Sequence, residues 1–157
     1  LFHDAGIKNP TEALVRQVAI AGVGYTPLTK NSGRSVLSLA TEAAKNAVED
    51  AGLPLAQVDG IGSFMVLNDS VSCGALGTAL ALPELRWTLE FQHGGQSPCH
   101  VVGLAAMAVA CGYAENVIVF RALLASLHGH DVVAFHLAEH GESGSSLVSG
   151  VFGDGGW

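Results

Sequence analysis

Between Ser97 and Gly112 the chain reads SPCHVVGLAAMAVACG, and this stretch limits the possible folds more than any other. Ser97 suits a helix N-cap and Pro98 the first helical position, while Gly112 suits the cap at the far end. Between Cys99 and Cys111 the residues Val101, Val102, Leu104, Ala105, Ala106, Met107, Ala108, Val109 and Ala110 leave no polar face. A helix that is apolar all round is predicted to be buried on all sides. Its longest apolar run, Val101 to Ala110, falls well short of the roughly 20 residues that a membrane span requires. The cover must therefore come from protein.

The segments around this rod alternate between strand-like and helix-like patterns. Val18 to Val23 (VAIAGV), closed by Gly24 and Pro27, reads as a buried strand. From Ser35 to Ala51 apolar residues recur at helical spacing with Glu42, Lys45, Asn46, Glu49 and Asp50 between them, and Gly52 and Pro54 supply the stop. Val58 to Val66 is a glycine-interrupted strand candidate, and Ser72 to Leu82 a short helix ended by Pro83. Arg86 to Gln92 alternates, with Trp87, Leu89 and Phe91 on one face and Arg86, Thr88, Glu90 and Gln92 on the other. Asn116 to Ala122 (NVIVFRA) is β-branched and apolar, as in a covered parallel strand. This βαβαβαβ order predicts an α/β architecture with parallel strands. Beyond Leu123 only Val132 to Leu137 has an ordered pattern, and the tail is left unassigned.

Composition removes several classes of function. The 157 residues suit one domain. Hydrophobic residues at 49% against 13% charged predict a chain that folds or finds a partner rather than staying disordered. Fourteen acidic and seven basic residues give a net charge of -7, which disfavours a nucleic-acid footprint. Cys73, Cys99 and Cys111 form neither a paired framework nor a metal knuckle, so a reducing cytoplasm is expected. Leu1 to Gln17 has no secretory-signal pattern, and the absent initiator Met suggests trimming or truncation. GVG after the first strand is a poor dinucleotide fingerprint, because Tyr25-Thr26-Pro27 follows and the helix starts only near Ser35. His128, His130, His136 and His140 have no element fixing them as metal ligands.

Taken in order, VAIAGVGYTPL, the helix ending EDAGL, VDGIGSF and GLAAMAVACGYAENVIVFRA resemble the N-terminal half of a thiolase-superfamily chain of the lipid-transfer or sterol-carrier type. The resemblance covers residues 17–123, leaving 1–16 and 124–157 unassigned. It implies a five-layer α-β-α-β-α fold built from two such halves, with the Ser97–Cys111 helix in the central layer. It also implies homodimers paired through the alternating strand Arg86 to Gln92, whose backbone edge would be open.

Thiolases place a nucleophilic cysteine just before that helix, where the helix N-terminus lowers the thiol pKa and its amides hold an oxyanion. Alignment back from Gly112, Ala114, Glu115 and Asn116 puts Gly95 in the nucleophile slot, so the sulfur is missing. Cys99, one turn further in, is the fallback nucleophile. His93 is the candidate for polarising a thioester oxygen or moving a proton, and Gly94, Gly95, Gln96 and Ser97 are candidate substrate-binding residues. His100 and Cys73 are read as packing residues.

Cysteine-lacking members of this family act as retro-aldolases on β-hydroxyacyl-CoA thioesters of steroid side chains, often with an OB-fold, zinc-ribbon partner. The expected function is therefore carbon-carbon bond cleavage or formation on acyl-CoA, of retro-aldol or Claisen type, with coenzyme A entering only as part of the substrate and no metal or other cofactor. The resemblance puts the remaining catalytic residues in a second half, so this chain alone is expected to be inactive. The alternative is a non-catalytic module that dimerises or binds acyl-CoA.

Overall fold

The computed structural model describes residues 18–27, 32–65, 70–92 and 97–122, together with the backbone of 133–139. Five strands, β1 (Val18–Tyr25), β2 (Gly60–Met65), β3 (Trp87–Gln92), β4 (Asn116–Arg121) and β5 (Val133–Glu139), form one sheet in the order β1-β5-β4-β2-β3. Strand β2 runs parallel to β3 and β4, whereas β5 is antiparallel to both β4 and β1. The sheet is thus mixed, because the segment left unassigned from sequence supplies the strand between β1 and β4.

Three helices cover the sheet in an α-β-α sandwich. On one face α1 (Val36–Asp50) and α2 (Cys73–Ala79) bury Leu39, Ala40, Ala43, Ala44, Ala47, Val48 and Leu76 against Ile61, Ile118 and Phe120. On the other, α3 (Ser97–Ala110) buries Val101, Ala105 and Val109 against Phe64, Val117 and Val119. The strands alternate as their pleat requires, so β4 sends Ile118 and Phe120 to the first face and Val117 and Val119 to the second.

Both long helices end as their glycines predict. Gly52 (φ 69°) and Gly112 (φ 74°) adopt the left-handed conformation. In each case the glycine N–H and the next N–H reach back into the last turn, Gly52 to Glu49 and Leu53 to Val48, Gly112 to Val109 and Tyr113 to Ala108. These are Schellman caps. At the other end of α1 the Ser35 hydroxyl accepts from the Ser38 N–H at 3.1 Å.

Strand β1 meets α1 through glycines. A Cβ on Gly22 would lie 2.7 Å from the Ala51 nitrogen, and one on Gly24 would collide with the Ala43 carbonyl and the Ala47 amide. The register against β5 shifts between Ile20 and Gly22. This irregularity keeps Val18, Ile20 and Val23 all on the α3 side while the two glycines face α1.

Asp59 ties down the amino-terminal ends of the parallel strands. Its carboxylate accepts from the backbone N–H groups of Glu115 and Asn116 at 2.9 Å and from Arg86 Nη1 at 3.2 Å. Its own N–H donates to the Asn116 carbonyl, and its carbonyl accepts from Arg86 and Trp87. Arg86 also donates through Nη2 to the Gly112 carbonyl. One side chain thereby fixes the starts of β2, β3 and β4 and the end of α3.

Helix α3 departs from the expectation of cover on every side. Its sheet-facing residues are buried, but Cys99, His100, Gly103, Leu104 and Met107 are exposed, Met107 by 50%. Apolar composition alone cannot say how many layers supply the cover, and the described residues supply one.

Candidate functional site

In an open α/β sheet, ligands bind beyond the carboxyl ends of the strands, where helix N-termini also point. Here that end carries a row of side chains on the α3 face. The β2-β3 register pairs Phe64 with Phe91, and Phe91 stacks on His100 of α3 with ring centroids 5.9 Å apart and planes inclined by 13°. On the other side of Phe64, the guanidinium of Arg121 lies 4.7 Å from the Phe64 ring centroid. Arg121, Phe64, Phe91 and His100 therefore run across the ends of β4, β2, β3 and α3.

Helix α3 opens beside this row. Val101 packs where β2 has only hydrogen to offer, since a Cβ on Gly62 would come within 3.0 Å of Val101 Cγ1. Ser97 lies one turn earlier, nearer the strand ends. It is fully buried, yet its hydroxyl has no hydrogen-bond partner. Leaving a buried hydroxyl unpaired costs about 1–3 kcal/mol, which makes Ser97, beside a helix N-terminus, a candidate site residue. Ser63, the other buried and unpaired hydroxyl, shares its register with Phe120 and so faces α1 and α2, away from this end of α3.

The candidate residues from sequence divide as follows. Ser97 starts α3 rather than preceding it, a shift of the kind that separates one definition of a helix end from another. Cys99 is exposed, about 200° around the helix from Ser97 at the α-helical 100° per residue, so the two point to different sides of the first turn. His93, Gly94, Gly95 and Gln96 lie outside the described residues, as do His128, His130 and His140. His136 pairs in β5 with Gly22 and Ile118. Among the described residues no group of His, Cys, Asp and Glu could hold a metal ion, and no helix is long and apolar enough to cross a membrane.

Cys73, read from sequence as packing, is 1% exposed at the start of α2. Burial, reinforced by the Glu90 carboxylate, pushes its thiol from the ordinary 9.0 up to about 12. Glu90 accepts from the Cys73 N–H at 2.6 Å, and the thiol donates to the Leu89 carbonyl at 3.4 Å. Such a thiol is a poor nucleophile. The unfolded chain loses this proton near pH 9 and the folded chain near pH 12, so stability falls as pH rises through that window. Urea midpoints at pH 8 and pH 10.5 should drop further in the wild type than in Cys73→Ala; equal drops would contradict the assignment.

Sequence reasoning overlooked the Arg121-Phe64-Phe91-His100 row. One signal was present: Arg121 is the single charged residue in NVIVFRA and closes an otherwise covered strand.

No protein-family profile matches the chain. Over 106 residues it is 43% identical to the 17-hydroxy-3-oxo-4-pregnene-20-carboxyl-CoA lyase of Mycobacterium tuberculosis, covering 68% of this chain and 27% of the lyase. Over 104 residues it is 45% identical to the steroid side-chain-cleaving aldolase of Thermomonospora curvata, covering 66% of this chain and 26% of the aldolase. The chain thus spans about a quarter of the length of these relatives. Among solved structures it superposes on the "Ltp2-ChsH2(DUF35) aldolase" with a TM-score of 0.66 at 41% identity, covering 71% of this chain and 28% of that one. It superposes equally well, TM-score 0.66, on 3-oxoacyl-[acyl-carrier-protein] synthase III of Aquifex aeolicus at 17% identity, covering 77% and 53%.

The fold is that of the thiolase-like synthases, and the chain corresponds to part of their N-terminal half. Within that superfamily the relatives at 41–45% identity carry lyase and side-chain-aldolase names, so the chain is similar to the lipid-transfer branch.

Proposed function

We propose that this chain is the N-terminal portion of an aldolase that cleaves a carbon-carbon bond in the side chain of a steroid-like β-hydroxyacyl-CoA thioester. Identity of 43% and 45% to two enzymes named for steroid CoA lyase and side-chain aldolase activity carries the reading. In the reaction a base takes the β-hydroxyl proton, the bond between the α and β carbons breaks, and the β carbon leaves as a ketone. The bonding pair passes to the α carbon as a thioester enolate, which takes up a proton to give the shorter acyl-CoA. Atoms balance without oxidant, reductant or free coenzyme A.

This chain's share of the work is to hold the thioester oxygen as it gains charge. Ser97 supplies a buried hydroxyl, and the first turn of α3 supplies the positive end of the helix dipole. His93 is assigned to the same oxygen or to proton transfer, and Gly94, Gly95 and Gln96 to the approach of substrate backbone to backbone. No acyl-enzyme forms, so no thiol is needed, in keeping with Gly95 at the position a thiolase gives to cysteine. A homodimer through the open edge of β3 and a partner of the kind named with the Ltp2 aldolase belong to the same proposal.

The intact protein should release a ketone and a shortened acyl-CoA from a β-hydroxyacyl-CoA, and Cys99→Ala should keep that activity within about threefold, because the cysteine takes no part in the bond changes. Loss of activity in a folded Cys99→Ala variant would restore nucleophilic thiolase chemistry.

A further inference from the structure

We infer that Asn46 and Asp50 of α1 close the outer edge of β1 to strand addition, so that a second copy of this chain does not pair there. The inference is independent of the chemistry proposed above. Among the described residues the sheet ends in β1 on one side and β3 on the other, and a free sheet edge is a template for pairing with another chain. On β1 that template is occupied at two successive outward positions. The Val23 N–H donates to Asp50 Oδ2 at 2.9 Å, and the Tyr25 carbonyl accepts from Asn46 Nδ2 at 3.0 Å. Committed to Asp50, the Val23 N–H is not part of the ladder with β5. Tyr25 shares its side, because residues two apart in a strand turn their N–H and C=O the same way.

The spacing of helix and strand makes the match. Asn46 and Asp50 are one turn apart on α1, about 6 Å along its axis at 1.5 Å per residue. Val23 and Tyr25 are about 6.6 Å apart at 3.3 Å per residue of strand. The helix runs against the strand, Asn46 meeting Tyr25 and Asp50 meeting Val23, and it lies close because Gly22 and Gly24 present no Cβ to α1. One donor and one acceptor thus stand where an added strand would place its amide and its carbonyl. The amino half of β1 is spoiled for pairing in another way, by the register shift between Ile20 and Gly22. The dimer proposed above would use β3, the other edge.

Energetics separate this role from simple stabilisation. Both side chains are exposed, and hydrogen bonds within reach of water contribute little to folding. Replacing both with alanine should therefore move the urea midpoint by less than about 0.5 M. Assembly should change more, because an N–H and a C=O are uncovered in the array that an incoming strand recognises.

The test is sedimentation velocity of the intact protein across a concentration series. At equal concentration the Asn46→Ala, Asp50→Ala double variant should reach about twice the wild-type mass or more, reversibly on dilution. Asp50→Asn, which keeps an acceptor oxygen, should stay at the wild-type mass. Hydrogen exchange identifies the surface: in the dilute double variant the segment Val18–Tyr25 should exchange roughly 10-fold faster than in the wild type, and association should slow it again. Should the double variant fail to fold, Asp50→Ala alone carries the comparison.

A folded variant with wild-type mass at every concentration would overturn the inference. So would association that leaves Val18–Tyr25 exchanging as fast as in the dilute variant, since the contact would then lie elsewhere. Association by Asp50→Asn equal to that of the double variant would also overturn it, because the acceptor would not be what closes the edge.

Discussion

Gly24→Val is expected to destabilise the protein by about 3 kcal/mol or more, at the upper end of what overpacking costs. The reason is that the obstacle is backbone. A Cβ at this position would meet the Ala43 carbonyl oxygen, the Ala47 amide and the carbon of Asn46, all in α1. Side-chain crowding relaxes by changing rotamer, but a peptide group in mid-helix can move only with its helix. Withdrawal of α1 would open the cluster in which Leu39, Ala40, Ala43, Ala44 and Ala47 are buried against Ile118 and Phe120. With total stabilities of about 5–15 kcal/mol, such a loss takes a large share of the whole. Gly33, where an added Cβ would meet nothing within 4 Å, has φ 64°, so a substitution there isolates the backbone penalty. Gly33→Ala should cost only about 1 kcal/mol in urea unfolding. Equal effects at the two glycines would show that the α1-β1 contact is looser than described.

Asp59→Ala should cost about 3–5 kcal/mol, more than other polar substitutions among the described residues. Removing the carboxylate orphans the N–H groups of Glu115 and Asn116 and frees Arg86 from its partner. Hydrogen bonds to a charged group contribute about 1.5–3 kcal/mol each, and unmet donors add their desolvation. Solvent screening weakens this little, since the Asp59 side chain is 14% exposed. The neighbouring Arg86-Glu115 pair, with Glu115 75% exposed, falls among surface pairs of about 0–1 kcal/mol. Asp59→Asn keeps one acceptor oxygen and should lose roughly half as much in a denaturant midpoint. Indistinguishable Asn and Ala variants, or a loss below about 0.5 kcal/mol for both, would contradict the network.

Much of this fold was legible because punctuation and periodicity agree. Gly52 followed by Pro54, and Gly112 followed by Ala114-Glu115, mark two helix ends that the left-handed glycines occupy. Trp87, Leu89 and Phe91 alternate with exposed residues as their pattern requires. Strand β5 was not legible as an element, because Val133–Glu139 carries His136 and Glu139 within an apolar run and is flanked by glycine-rich sequence. Its antiparallel insertion between β1 and β4 is decided by tertiary pairing. Nor could the pattern give the close approach at Gly22 and Gly24, since VAIAGVG is also what a loosely packed strand end would contain.

The site was legible in place more than in composition. Sequence located it at the start of the apolar helix, because Ser97-Pro98 marks that start. The unpaired hydroxyl of Ser97 is a property of burial, and the conjunction of Arg121 with Phe64 depends on the parallel register of β2 and β4. Residues 57 positions apart in the chain become neighbours only through that register.

The account turns on whether the bond is broken without an acyl-enzyme, and the dependence of cleavage on free coenzyme A measures this directly. With the intact protein and a steroid-like β-hydroxyacyl-CoA, ketone and shortened acyl-CoA should form in equal amounts at the same rate whether free coenzyme A is absent or saturating. A rate that vanishes without free coenzyme A, with an acyl group transferred to it from the enzyme, would contradict the account.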